Sequence, residues 1–347
     1  MGKKMIFLLI GLVLTASLAA CQPDNPPADN PPVQHRDDTD WKWKLLGFKN
    51  SSVDKVQVIS DGRAFALSEG KLYFQEEGKW KETHPGVDIS TFYPLEKDGK
   101  TTIIAGGDNG KVYLYPVEGD SWNEARFQAV PEPIDIITVS LSTGEIYVGQ
   151  STKDGGGLWR STGDGTDWKE LTDITVRGIA VHPEDPEIIY IVDKLTYFST
   201  DGGKNWTKVE TGANYGVLIH PQYPDTAYLA YAQGMVSVSH DGTVVSQQQF
   251  YLPGGMTRLE FSPVSLNEWA LGIWDYPSGV GGLYYTFNGG GHWLEVEEEM
   301  KDTRILDLCF SKDGKTLYIG TAGRGLWALN IEELKKDSKI TRYSAME

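Results

Sequence analysis

A short strand carrying aromatic or β-branched residues, often just after a glycine, recurs along this chain: Leu72-Tyr73-Phe74, Val112-Tyr113-Leu114, Leu158-Trp159-Arg160, Tyr197-Phe198-Ser199, Val236-Ser237-Val238, Leu283-Tyr284-Tyr285 and Leu326-Trp327-Ala328. The spacing stays between about 38 and 47 residues, the range in which each repeat is one blade that cannot bury its faces without its neighbours. Between these strands lie further short β-type runs, divided by Gly, Asp, Asn and Pro turns. Helical spacing is absent until Ile331-Glu332-Glu333-Leu334, so the chain reads as all-β.

About ten residues after most of these strands a tryptophan opens another: Trp80, Trp122, Trp168, Trp206 and Trp293, with Phe250 in its place once. The seventh strand has no such successor. Its partner stands at the other end of the chain, where Trp43-Lys44-Leu45-Leu46 repeats the pattern of Trp168-Lys169-Glu170-Leu171. The sequence therefore predicts a seven-bladed β-propeller over residues 41–330, closed by pairing the N-terminal strand into the last blade. Apolar runs such as Gly178-Ile179-Ala180-Val181, Gly216-Val217-Leu218-Ile219 and Leu259-Glu260-Phe261 begin the blades and line the central channel.

Outside this repeat the ends carry their own signals. Lys3 and Lys4, an apolar run from Met5 to Leu14 and small residues up to Cys21 have the order of a secretory leader over 1–20. Leu18-Ala19-Ala20-Cys21 resembles the lipobox of bacterial lipoproteins, which implies a lipid-modified Cys21 on the extracytoplasmic face of a bacterial membrane, with acyl chains as the only anchor. Residues 21–40, rich in Pro, Asp and Asn, read as a disordered tether, and 331–347 as a C-terminal tail. Removing the leader takes Lys3 and Lys4 with it and moves the formal charge from −16 to −18. A surface that acidic excludes nucleic acid and bare anionic membrane as natural partners. With Cys21 acylated, Cys309 has no disulfide partner, and without a Cys/His cluster no metal or other cofactor is expected.

Between third and fourth strands lies Ser199-Thr200-Asp201-Gly202-Gly203-Lys204-Asn205-Trp206, which matches the pattern Ser-x-Asp-x-Gly-x-x-Trp. Thr286-Phe287-Asn288-Gly289-Gly290-Gly291-His292-Trp293 is a conservative variant. Ser161-Thr162-Gly163-Asp164-Gly165-Thr166-Asp167-Trp168 moves the acid by one position, and Ser239-His240-Asp241-Gly242 keeps the first half. Short oxygen-bearing side chains hydrogen-bond nearby amides and glycine supplies positive φ, so these positions fold a tight hairpin. On these motifs residues 41 to 330 resemble the Asp-box propellers, a group that includes sialidases, sortilin-type receptors, xyloglucan-degrading hydrolases and photosystem II assembly factors. The lipid-anchored single-domain layout and Gly323-Arg324-Gly325-Leu326-Trp327 look closest to the assembly-factor type, which implies a non-catalytic docking role.

The starts of the inner strands supply Lys55, Arg177, Tyr215, Arg258 and Arg304 from five blades. Such a funnel either binds a carboxylate, phosphate or acidic peptide, or is neutralised by acids such as Asp88, Asp135 or Asp307. The segment from Ile273 to Gly282 reads as a long loop on the same face, with Trp274 and Tyr276 as candidate recognition aromatics. Sialidase chemistry lacks its Arg-Ile-Pro segment here, and His182-Pro183 and His220-Pro221 stand at equivalent turns, as structural residues do. The expectation is a monomeric binding or assembly protein that is not an enzyme, with a protein, cell-wall or glycan polymer as partner. The alternative is a carbohydrate-active propeller, which needs two facing carboxylates.

Overall fold

The computed structural model describes residues 41–336 and 341–344, apart from 120, 129, 154, 163–164, 212–214 and 277. The leader, the tether with Cys21, and Asp164 lie outside the described residues. Seven antiparallel sheets follow one another along the chain, each running from an inner strand through second and third strands to an outer one. The seventh takes its inner, second and third strands from Ile305–Phe310, Thr316–Thr321 and Leu326–Asn330, and its outer strand from Trp43–Gly47. Trp43 lies opposite Leu329 and Leu45 opposite Trp327, so the ring closes between the two ends of the chain as the sequence predicts.

The apolar residues explain why the ring holds. Seven hydrophobic clusters occupy the seven interfaces between successive blades. The outer-strand tryptophans serve them in order: Trp80 packs at the interface of blades seven and one, Trp122 at one and two, Trp168 at two and three. Trp206 follows at three and four, Trp293 at five and six, and Trp43 at six and seven. Each ring thus wedges its own blade against the preceding one, and a buried tryptophan cut to alanine loses about 3–5 kcal/mol.

Phe250 does not belong to this series. Blade five's outer strand is Val244–Gln249, Phe250 follows it, and its ring joins Trp269 and Trp293 in the five–six interface, not the four–five interface. The reason lies in composition: the strand is Val-Val-Ser-Gln-Gln-Gln, and its valines are half exposed where the other blades carry tryptophan.

Hairpin chemistry follows the sequence locally. Ser199 Oγ accepts from Gly203 N at 2.9 Å, while Asp201 Oδ1 accepts from Lys204 N and Asn205 N at 3.0 and 2.9 Å. The Asn205 side-chain amide, donating to Asp201 Oδ2 at 2.7 Å, leads with the Asn205 N–H in holding the Asp201 carboxyl down at about 2. Thr286 and Asn288 make the corresponding bonds to Gly290 N and His292 N. On the same end of the barrel His182 Nδ1 accepts from Asp185 N at 2.9 Å and His220 Nδ1 from Gln222 N at 3.1 Å. His220 Nε2 then donates to Ser262 O at 2.9 Å, tying blade five to blade six.

The C-terminal residues after blade seven form a helix, Ile331–Lys336, whose Ile331 and Leu334 are buried in the six–seven interface. A strand, Thr341–Ser344, then pairs antiparallel with the outer strand of blade six, His292–Val296, and makes that sheet five-stranded. No helix among the described residues is long and apolar enough to cross a membrane.

Candidate functional site at the mouth of the channel

Antiparallel alternation puts the connections from each outer strand to the next inner strand at one end of the ring, together with the second-to-third connections. There Arg177 precedes the inner strand Gly178–Val181 of blade four, and Tyr215 precedes Gly216–His220 of blade five. Arg258 is the fourth residue of Gly255–Phe261 in blade six. These three side chains line one cavity of about 170 Å³, with Ile136 from blade three and Met256 among its apolar walls. Among the described residues, no carboxylate lines it.

Each arginine is held from behind. Arg177 Nε lies 3.3 Å from Asp193 Oδ1, and Asp193 also accepts from Ser151 Oγ at 3.1 Å and Thr175 Oγ1 at 2.7 Å. The carboxylate is buried, yet the Arg177 side chain remains 66% exposed, so its outer face stays available. Arg258 Nε sits 2.8 Å from Oδ1 of the buried Asp307, whose Oδ2 accepts from Val56 N at 2.8 Å. Asp307 therefore links blade six to blade one through blade seven. Tyr215 is 59% exposed and uncommitted to a core.

Lys55 and Arg304 do not join this cavity. Lys55 turns inward: its Nζ donates to Thr91 Oγ1 at 2.9 Å and lies 5.8 Å from the Phe92 ring centroid. Enclosure in the channel drops its pKa to about 8, against the opposing pull of Asp307. Arg304 is exposed on the connection before Ile305–Phe310. Of the acids expected to neutralise the funnel, Asp307 does so and Asp193 takes the other place. Asp135 is instead committed to Ser151 N at 2.6 Å, and burial raises its pKa.

The expected long loop is shorter than the sequence suggests. Ile273 pairs with Gly282 and Trp274 with Gly281, so both are strand residues and the connection runs only from 275 to 280. A ring has room over Gly281 because a Cβ there would stand 2.5 Å from Trp274 Cε3, which keeps Trp274 folded onto its own blade. Tyr276 at the tip is 86% exposed, and Tyr251 and Leu195 on neighbouring connections are also open.

Sequence reasoning missed Glu260, which points into the channel two residues after Arg258. Burial pushes its carboxyl up to about 7, opposed by Arg258 and reinforced by Asp307. Cys309 and Tyr93 line the same enclosed zone, and burial raises both to about 12. The available signal was a charged residue, Glu260 or Asp307, interrupting an otherwise apolar inner strand.

No protein-family profile matches the chain, and no curated protein matches it. Solved structures do. A xyloglucanase of the GH74 type from Xanthomonas campestris aligns with a TM-score of 0.65 at 15% identity, over 84% of this chain and 54% of that one. YCF48 from Cyanidioschyzon merolae aligns at 0.62 and 11% identity, over 84% of this chain and 100% of that one. YCF48 bound to a D1 peptide aligns at 0.61 and 14%, over 84% and 94%. At such identities the likeness establishes the seven-bladed fold.

Proposed function

We propose that this protein is a non-catalytic binding or assembly factor of the bacterial cell envelope, tethered by a lipidated Cys21 and presenting the face with Arg177, Tyr215 and Arg258 to a protein partner. The observation that carries this reading is the channel-mouth cavity itself. Three blades bring two arginines and an exposed tyrosine around an opening that no carboxylate among the described residues lines. Arginines held by buried carboxylates have paid much of their ordering entropy before a ligand arrives, which favours bidentate capture of a partner carboxylate. Open aromatics around the rim, Tyr251 and Tyr276, suit the apolar part of such an interface. The likeness to YCF48 bound to a D1 peptide is consistent with a protein partner, and the hairpins at Ser199 and Thr286 support the Asp-box kinship.

Affinity capture from native membranes tests this, comparing wild type with an Arg177→Glu, Tyr215→Ser variant. Both side chains are exposed, so the variant is expected to fold and to lose the partner. Equal capture by both proteins removes the funnel reading; recovery of polysaccharide in place of protein supports the carbohydrate alternative.

A further inference from the structure

On the opposite end of the ring a second cavity opens between blades two and three. Its origin is local. Blade two's outer strand has only two residues, Asn123–Glu124. Beyond it stands Ala125, three residues after Trp122, where blade three places Leu171 three residues after Trp168. The difference shows in the next blade's hairpin glycine: a Cβ at Gly203 would meet Leu171, while one at Gly165 meets Leu114 and Ala125. A second difference enlarges the gap. Ile146 pairs with Val139 and Ser161 as Trp269 pairs with Phe261 and Thr286, so the position filled by an indole in blade six carries only isoleucine in blade three.

The resulting groove measures about 440 Å³ and is lined by Leu95, Ile104, Leu114, Pro116 and Ile146, with Lys97 and Lys100 at one edge. These lysines flank the tip of the hairpin between Ile89–Lys97 and Lys100–Gly107. Asp98 on the same tip is the acid that lines the groove, against two cations in a chain of net charge −16. An apolar trough of this volume closed by cations fits an amphiphilic anion.

We propose that the groove between blades two and three is a binding site for an aliphatic carboxylate, with the acyl tail against Leu95, Leu114 and Ile146 and the head group between Lys97 and Lys100. This site is distinct from the channel mouth and does not depend on that reading. Discrimination follows from the two parts: the tail is desolvated against aliphatic side chains, and the carboxylate is paired at the solvent edge.

Isothermal titration calorimetry with sodium decanoate, below its micellar concentration, tests the site, with decanol and acetate as tail-only and head-only controls. Saturable one-site binding of decanoate by wild type is expected, with weaker binding of decanol and none of acetate. Ile146→Trp, which copies the filling residue of blade six, is expected to abolish binding. A Lys97→Gln, Lys100→Gln variant, which alters only exposed side chains, is expected to weaken decanoate about tenfold and to leave decanol unchanged. Non-saturable uptake, or decanoate binding that neither substitution changes in protein with a native circular dichroism spectrum, overturns the proposal. Equal affinity for decanol and decanoate overturns the assigned head-group contact.

Discussion

Asp307 offers the sharpest test of how the ring is held. Its carboxylate faces Arg258 Nε at 2.8 Å and accepts the Val56 N–H at 2.8 Å, joining three blades through one buried group. Asp307→Asn keeps the shape and an acceptor for Val56 but removes the charge opposite Arg258. Stripping one partner from a buried pair costs about 3–5 kcal/mol. Arg258 is 40% exposed to the channel mouth and keeps part of its hydration, so the expected loss falls to about 2 kcal/mol. With an unfolding entropy of roughly 2.1 cal/mol/K per residue over some 300 residues, this lowers Tm by about 3 °C. Asp307→Ala also orphans the Val56 N–H, worth about 1–3 kcal/mol more, and doubles the shift to about 6 °C. Differential scanning calorimetry on both variants, and on Arg258→Met with Asp307→Asn, gives the coupling directly. The double variant is expected to recover part of the loss. A Tm for Asp307→Ala within one degree of wild type would refute the role given to this carboxylate.

Further outcomes follow from the channel, the turns and the tail. Glu260 has a folded pKa of about 7 above its ordinary 4.5, so the folded state binds more protons and stability falls as pH rises between those values. Glu260→Gln is expected to remove that decline, worth about 3 kcal/mol at most, in urea titrations run from pH 4.5 to 8. Lys55 acts in the opposite sense: with a folded pKa of about 8 below its ordinary 10.5, stability rises as pH climbs between them, and Lys55→Met flattens this limb. His182 and His220 are held neutral by burial, with pKa values below 6.5, so stability is lost as pH falls beneath 6.5. His220→Ala, which breaks the bonds to Gln222 N and Ser262 O, is expected to cost about 2 kcal/mol by urea denaturation. Removing residues 337–347 exposes the edge of blade six, and faster amide exchange confined to His292–Val296 is expected by mass spectrometry.

The repeat was legible because each blade states its own pattern: an aromatic third strand, then a tryptophan that wedges its blade against the preceding one. Ring closure was legible for the same reason, since Trp43 repeats the pattern of Trp168 at the far end of the chain. Where that pattern lapsed, so did the reading: without a tryptophan in blade five, the nearest aromatic, Phe250, was read as opening the outer strand, which it instead follows. The C-terminal strand escaped because four residues paired to an edge carry little periodicity of their own. At the channel mouth, the arginines were visible as charges at inner-strand starts. Asp307 was named among the acids able to neutralise them, but its pairing with Arg258 across blades six and seven shows only once the ring is built; Asp193 was not paired with Arg177, although both stand in blade four. Lys55 shows the converse, since a strand-start position fixes the backbone while the side chain turns inward to Thr91. The blade-two groove depends on absent bulk, Ala125 for leucine and Ile146 for tryptophan, which a single sequence displays only after its blades are aligned by register.

The most direct test of the proposed docking face is position-specific photocrosslinking in native membranes, with a benzophenone amino acid at Tyr215 and, as a control on the opposite end of the ring, at Leu141. Both side chains are exposed, at 59% and 64%, so neither replacement disturbs a core. A discrete protein adduct formed from position 215 and absent from position 141 is the expected result. The same adduct from both positions, or none from position 215, would contradict the assignment of the channel mouth as the face that meets the partner.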